Sequence, residues 1–145
     1  IDYFFLSENQ FNEKIKNNEF YEYAKIFGNY YGTSKKSVLD LLKNKNDILF
    51  DIDWQGTQQL SKHNELKFTK IFILPPSKEE LKKRLIQRNQ DKVEVVSERL
   101  KSYENDLTHQ NDYDFVVIND NLETCFKKVE KIILLEKEKA LKQIK

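Results

Sequence analysis

The sequence contains no methionine, one cysteine, two prolines, three glycines and one tryptophan in 145 residues. A single cysteine, Cys125, excludes an internal disulfide framework and fits a reducing compartment. So few glycines and prolines leave no room for long flexible linkers. No apolar run approaches the roughly 20 residues that a membrane-spanning helix needs, and no signal-peptide pattern is visible. Neither sign of charge dominates: 25 Lys and Arg stand against 24 Asp and Glu, a net +1. That balance removes the electrostatic case for nucleic acid or an anionic membrane as the main partner. The missing methionine has a companion. The opening Ile1-Asp2-Tyr3-Phe4-Phe5-Leu6 already reads as the middle of a domain, so the expectation is a fragment of a longer protein.

What remains is a chain of a length that suits one domain, with charged residues of both signs making up 34% of it. Tyr3 to Leu6 is a short strand candidate. Ser7 and Gln10 have the spacing of a capping box, with Phe11 and Ile15 at helical spacing behind them and a stop at Asn17-Asn18. Phe20 to Phe27 is aromatic-rich and alternating, Gly28-Asn29 is a turn, and Tyr30 to Thr33 reads as the returning strand of a hairpin. From Ser34 the period changes to a helix with Val38, Leu41 and Leu42 on one face. Ile48 to Asp53 is expected to be a buried strand, Gln55 to His63 a helix, and Lys70 to Leu74 a second buried strand ended by Pro75-Pro76. Ser77 and Glu80 open another helix with Leu81 and Leu85 inward. Val93, Val96, Leu100 and Leu107 mark the next. Phe115 to Ile118 is a third buried strand, and the last helix carries Leu122, Cys125, Val129, Ile132 and Ile133. Three apolar strands alternating with helices imply an α/β fold with a parallel sheet between helices.

Three groups of residues have the makings of a site. In Asp51-Ile52-Asp53-Trp54-Gln55-Gly56 two carboxylates follow an apolar run. On a strand they share a face, at the end where open α/β sheets bind ligands. They could hold a hydrated Mg²⁺ or accept hydrogen bonds from a base; the plainer alternative is an Asp that caps the next helix. Arg84 and Arg88 are four apart on one helix face, with Arg99 beyond. Guanidinium forks suit polyphosphate, although Glu79, Glu80 and Glu98 could simply neutralise them. Glu22 lies on one strand of the hairpin, with Tyr31 and Thr33 alternating onto one face of the other. A carboxylate with hydroxyls nearby can accept from the N1 and N2 hydrogens of guanine, which adenine lacks, and such sites discriminate strongly. Tyr and Thr are also ordinary strand formers on a surface hairpin. His63 and His109 lack metal-ligand spacing and Cys125 sits on a core face, so all three read as structural.

Taken in order, several strings resemble guanylate kinase: Asp2-Tyr3-Phe4-Phe5, Phe20-Tyr21-Glu22-Tyr23-Ala24, Gly28-Asn29-Tyr30-Tyr31-Gly32-Thr33, Asp51 to Gly56, Pro75-Pro76-Ser77 and Val117-Ile118-Asn119-Asp120. The resemblance covers nearly the whole chain. It implies a three-layer αβα P-loop kinase core with a parallel sheet, a small mixed β GMP-binding subdomain and a helical lid. Residues 1–36 would be the GMP-binding subdomain, 37–78 and 111–145 the core, and 79–110 the lid. It further implies that Tyr3 and Tyr31 hold the GMP phosphate, and that Glu22, Thr33 and Asp53 read guanine. Asp51 would act near Mg²⁺ through water, Arg84, Arg88 and Arg99 on the ATP phosphates and the transferred group, and Asn119 near adenine. The activity implied is ATP-dependent phosphorylation of GMP and dGMP in purine nucleotide metabolism, in the cytoplasm, with GMP and ATP as partners.

The departures shape the expectation. The family's glycine-rich loop, G-x-x-x-x-G-K-[S/T], does not occur in these residues. Asn89 stands where glycine is usual after the second lid arginine. Without a loop to cradle the ATP β-phosphate, the 145 residues alone are expected to be inactive. The alternative is a catalytically silent guanylate-kinase-like module that binds a phosphorylated protein. Keeping both the base-reading set and three arginines argues against that, and the Glu22–Thr33 hairpin argues against an adenylate kinase.

Overall fold

A computed structural model of the chain describes residues 4–26, 28–88 and 93–143. It is mixed α/β, and the chain divides into two compact units, 1–66 and 67–145.

The first unit is built on a hairpin. Helix α1 (Glu8–Lys16) starts at the expected capping box: Gln10 N–H donates to Ser7 Oγ (3.3 Å) and Ser7 N–H to Gln10 Oε1 (2.9 Å). Strands β1 (Phe20–Ile26) and β2 (Asn29–Ser34) run antiparallel across the Gly28 turn, where φ is +86°. Their register sets Glu22 opposite Thr33, Tyr23 opposite Gly32 and Ala24 opposite Tyr31, with an irregularity between Phe20 and Glu22. Phe11 of α1 lies on this hairpin, its ring 4.7 Å from Phe20 and 5.3 Å from Tyr30. Gly32 makes the approach possible, because a Cβ there would stand 3.1 Å from both phenyl rings. Burying Phe11 is worth about 2 kcal/mol in transfer free energy. Ser34 ends β2 and caps α2 (Lys35–Lys43), which buries Val38. Helix α3 (Trp54–Leu60) packs against β1 and buries Gly56, Thr57 and Leu60.

The second unit has a parallel pair, β3 (Ile71–Leu74) and β4 (Phe115–Ile118), in the register Ile71 to Phe115 through Leu74 to Ile118. Between them come α4 (Lys78–Gln87), capped by Ser77, and α5 (Val93–Thr108), which pack on each other. A short 3₁₀ turn, Gln110–Asp112, leads into β4. Lys70 anchors the start of the pair: its N–H donates to Asp114 Oδ2 (2.7 Å) and its carbonyl accepts from Phe115 N–H (3.1 Å). The last helix, α6 (Leu122–Gln143), packs on β4 and buries Cys125.

Most expected elements are present within one or two residues of the bounds read from the sequence. Several expectations change. Strands β3 and β4 are only partly buried, with Ile73 53%, Val116 46% and Ile118 54% exposed, and Leu41, Leu42 and Ile133 on the expected apolar helix faces are exposed as well. Ile48 to Asp53 is no strand: the segment has no ladder partner among the described residues, and Leu49 is 84% exposed. An apolar run marks residues that suit a buried strand, but a strand also needs a neighbour for its N–H and C=O groups. The parallel sheet is therefore two strands rather than three among the described residues. Residues 4–6 form no strand, and Phe4 and Phe5 are exposed. Leu122 points to solvent instead of the core, at the very start of α6. Tyr3 and Asn89 lie outside the described residues. No helix is long and apolar enough to cross a membrane among the described residues.

Candidate functional site

Glu22 is the residue that the first unit is arranged to hold. It stands mid-strand on β1 and only 4% of it reaches solvent, an expensive place for a carboxylate. Thr33, directly across the hairpin, meets it: its hydroxyl donates a hydrogen bond to Oε1. Burial nevertheless pushes the Glu22 carboxyl above its ordinary range. The Thr33 hydroxyl pulls the other way, and the charge of nearby Asp53 adds to the rise.

Asp53 reaches this site from α3. It is the N-cap of that helix, its Oδ1 accepting from Gly56 N–H at 2.9 Å and its Oδ2 from Gln55 Nε2 at 3.3 Å. The capping alternative weighed for this Asp is thus realised. A carboxylate has about four lone-pair directions, so a cap keeps capacity for a ligand. Gly56, in the first turn of α3, sits against the Glu22 carboxylate: a Cβ there would stand 2.9 Å from Oε2. The helix backbone and the strand carboxylate can approach this closely only because the residue is glycine. Farther along α3, Gln59 pairs with the backbone of Tyr23, accepting from its N–H (3.1 Å) and donating to its C=O (2.7 Å).

Glu22, Thr33 and Asp53, separated by up to 31 positions in the sequence, are therefore brought together, with Gly56 beside them. Tyr31 lies two residues before Thr33 on the same strand and is 45% exposed. Asp51 is exposed on the irregular segment before α3. Without a strand at 48–53, the alternation argument for Asp51 and Asp53 sharing a face no longer applies. Sequence reasoning missed Gly56 and Gln59. A glycine inside a helix, in a chain with only three, was the available signal for the first; nothing marked the second.

In the second unit Arg84 ties α4 to the end of β4. Its Nη1 donates to the Asn119 carbonyl (2.7 Å), its Nη2 to the Asp120 carbonyl (3.0 Å), and its Nε to Glu80 Oε1 (2.9 Å). Arg84 and Asn119 are thus neighbours. Glu80 neutralises Arg84 one helical turn away, as the plainer reading of the arginines allowed. Arg88 is exposed at the C-cap of α4, and Arg99 is half-buried on α5. We expect Arg84→Ala to lower unfolding stability by about 1.5 kcal/mol in urea titrations, the loss of charged hydrogen bonds to two backbone carbonyls. Lys should rescue little of it, because one ammonium cannot reproduce a planar fork. A loss below about 0.5 kcal/mol, the range of an ordinary surface substitution, would show the clamp to be idle.

His63 places its ring edge-on to Tyr21 at 4.8 Å, with Nδ1 3.3 Å from Glu65, and His109 lies 3.6 Å from Asp112. These are packing and surface positions. No group of three or more His, Cys, Asp or Glu among the described residues could hold a metal ion.

Residues 1–136 match the family model described as guanylate kinase. A guanylate kinase of Novosphingobium aromaticivorans is 44% identical over 142 residues, which cover 98% of this chain and 64% of that protein. One of Rickettsia prowazekii is 47% identical over 139 residues, covering 96% of this chain and 70% of that protein. The crystal structure of guanylate kinase from Anaplasma phagocytophilum superposes with a TM-score of 0.75 at 31% identity, over 93% of this chain and 65% of that one. The chain thus spans about two thirds of the length of the relatives it matches.

Proposed function

Since this chain belongs to the guanylate kinase family, we propose that its protein transfers the γ-phosphoryl group of ATP to a phosphate oxygen of GMP, giving ADP and GDP. The observation that carries this most directly is the buried Glu22 carboxylate, fixed by Thr33. A buried acceptor with only acceptors to offer favours a base edge made of donors. Guanine presents N1–H and the 2-amino group there; adenine presents neither. Asp53 supplies a second acceptor, and Thr33 holds the first in place. Tyr31, with Tyr3, binds the GMP phosphate through its hydroxyl.

Phosphoryl transfer asks little covalent work of a protein and much alignment and charge neutralisation. Arg84, Arg88 and Arg99 supply that charge to the ATP phosphates and the group in flight. Arg84 then exchanges backbone carbonyls for phosphate oxygens, a stronger match for a guanidinium fork. Asn119, held beside Arg84, contacts adenine. Asp51 would face the Mg²⁺ that accompanies ATP, and that ion would supply positive charge at the transferring phosphate. Asp51, an exposed single carboxylate, suits a hydrated ion that takes most of its ligands from phosphate and water. In this reading 1–36 form the GMP-binding subdomain, 79–110 the lid, and the remaining residues belong to a three-layer core with a parallel sheet.

A coupled assay of the full-length protein should show ADP formation that depends on GMP or dGMP, with AMP a poor acceptor. Absence of any GMP-dependent ADP formation would overturn the proposal.

A further inference from the structure

We infer that Gln59 is a positioning residue for guanine specificity, setting where α3 presents Asp53 relative to Glu22. This rests on the proposed GMP site and extends it to a side chain that does not touch the base. Two of the contacts that dock α3 on β1 lie on one face of the helix. Gly56 meets the Glu22 carboxylate. Three residues on, and so on the same side of the helix, Gln59 meets the backbone of Tyr23 through two hydrogen bonds, 3.1 Å and 2.7 Å.

The two contacts are adjacent on the strand, at residues 22 and 23, and nearly one turn apart on the helix. Their characters differ. The Gly56 contact is a close approach and limits distance alone. The Gln59 amide satisfies both the donor and the acceptor of one peptide residue, as a neighbouring strand would. It is directional, and so fixes rotation of α3 about the Gly56 contact. Asp53 caps the same helix through Gly56 N–H. Any rotation of α3 therefore moves the Asp53 carboxylate with respect to Glu22, which is held from the opposite side by Thr33. Two acceptors on different elements read one base edge only if their spacing is set. Nonpolar packing by Leu60 buries the helix but does not set that spacing to a fraction of an ångström.

The test uses full-length protein with Gln59→Leu, which keeps the volume, and Gln59→Glu, which keeps the acceptor but turns an oxygen on the Tyr23 carbonyl. Both should raise the GMP KM about tenfold, as expected for losing one or two net hydrogen bonds. The ATP KM should stay within about twofold of wild type, inside the usual context scatter of a net hydrogen bond. The ratio of kcat/KM for GMP over IMP, which lacks the 2-amino group, should fall, because the acceptors no longer match two donors. Parallel losses for GMP, IMP and ATP would mean a merely structural residue and overturn the inference, as would unchanged selectivity in both variants. Should the Leu variant fail to fold by circular dichroism, the Glu variant decides alone. A wild-type protein inactive on GMP overturns the GMP site and this role together; an active wild type with unaltered variants overturns this role only.

Discussion

Glu22→Gln should raise the KM for GMP about a hundredfold in the full-length protein while leaving the KM for ATP unchanged. The amide keeps the size of the carboxylate and can still accept from the Thr33 hydroxyl. It replaces one acceptor oxygen with an NH₂ that faces the donors of guanine, so a charge-assisted pair becomes a clash of donors. Discrimination against AMP should shrink with it. Equal loss of GMP and ATP affinity by calorimetry would show that Glu22 supports the fold rather than reads the base.

The same substitution should move stability in the opposite direction. Burial raises the Glu22 carboxyl in the folded state, so between its unfolded-state and folded-state values the folded chain keeps a proton that the unfolded chain has released. Its contribution is favourable at low pH and is lost as pH rises through the folded-state value. Above that value the buried charge is a cost, and Glu22→Gln should stabilise the protein by about 1 kcal/mol, as substitutions that relieve a functional strain often do. Below the ordinary Glu range the two proteins should melt alike. In wild type, kcat/KM for GMP should fall on the acid side with a midpoint above the ordinary Glu value, because only the ionised carboxylate accepts from both guanine donors. The Gln variant should lack that limb.

The second large effect is expected at Gly56. In Gly56→Ala the new methyl would stand 2.9 Å from Glu22 Oε2 and 3.2 Å from Ile52 Cβ. One atom must yield, and the tip of the Glu22 side chain is the more easily moved. Thr33 holds its other oxygen, so the carboxylate must rotate off its hydrogen bond or push α3 away from β1. A displacement near 1 Å at a recognition group costs up to about a hundredfold, and we expect the GMP KM to rise by about ten- to a hundredfold. Stability should change little, since Ala gains about 1 kcal/mol of helix propensity over Gly in the first turn of α3 and the overlap consumes it. A protein that melts like wild type and binds ATP like wild type, yet has lost GMP, is the expected result. An unchanged GMP KM would show that the glycine is there for the helix alone.

Much of this molecule was legible in its sequence because its signals are local. Ser7 with Gln10, and Ser77 ahead of Glu80, mark helix starts through hydrogen bonds that span three residues, and both caps form. Gly28 marks the hairpin because only a residue at ease with positive φ turns there, and the alternation on either side sets Glu22 across from Thr33. The order of the strings from Asp2 to Asp120 is enough to suggest the family. Tertiary structure alone decided the rest. Whether Ile48 to Asp53 becomes a strand depends on a neighbour, which no property of those six residues supplies. Whether Asp53 caps or faces solvent depends on where α3 begins; it caps. Whether Arg84 awaits a phosphate or holds carbonyls depends on residues 35 positions away, and it holds Asn119. Gly56 and Gln59 gain their meaning only when α3 is laid on β1, for a close approach and a directional hydrogen bond are properties of two elements together. The carboxylate, its threonine and its base-reading chemistry follow from residue types; their spacing follows from packing.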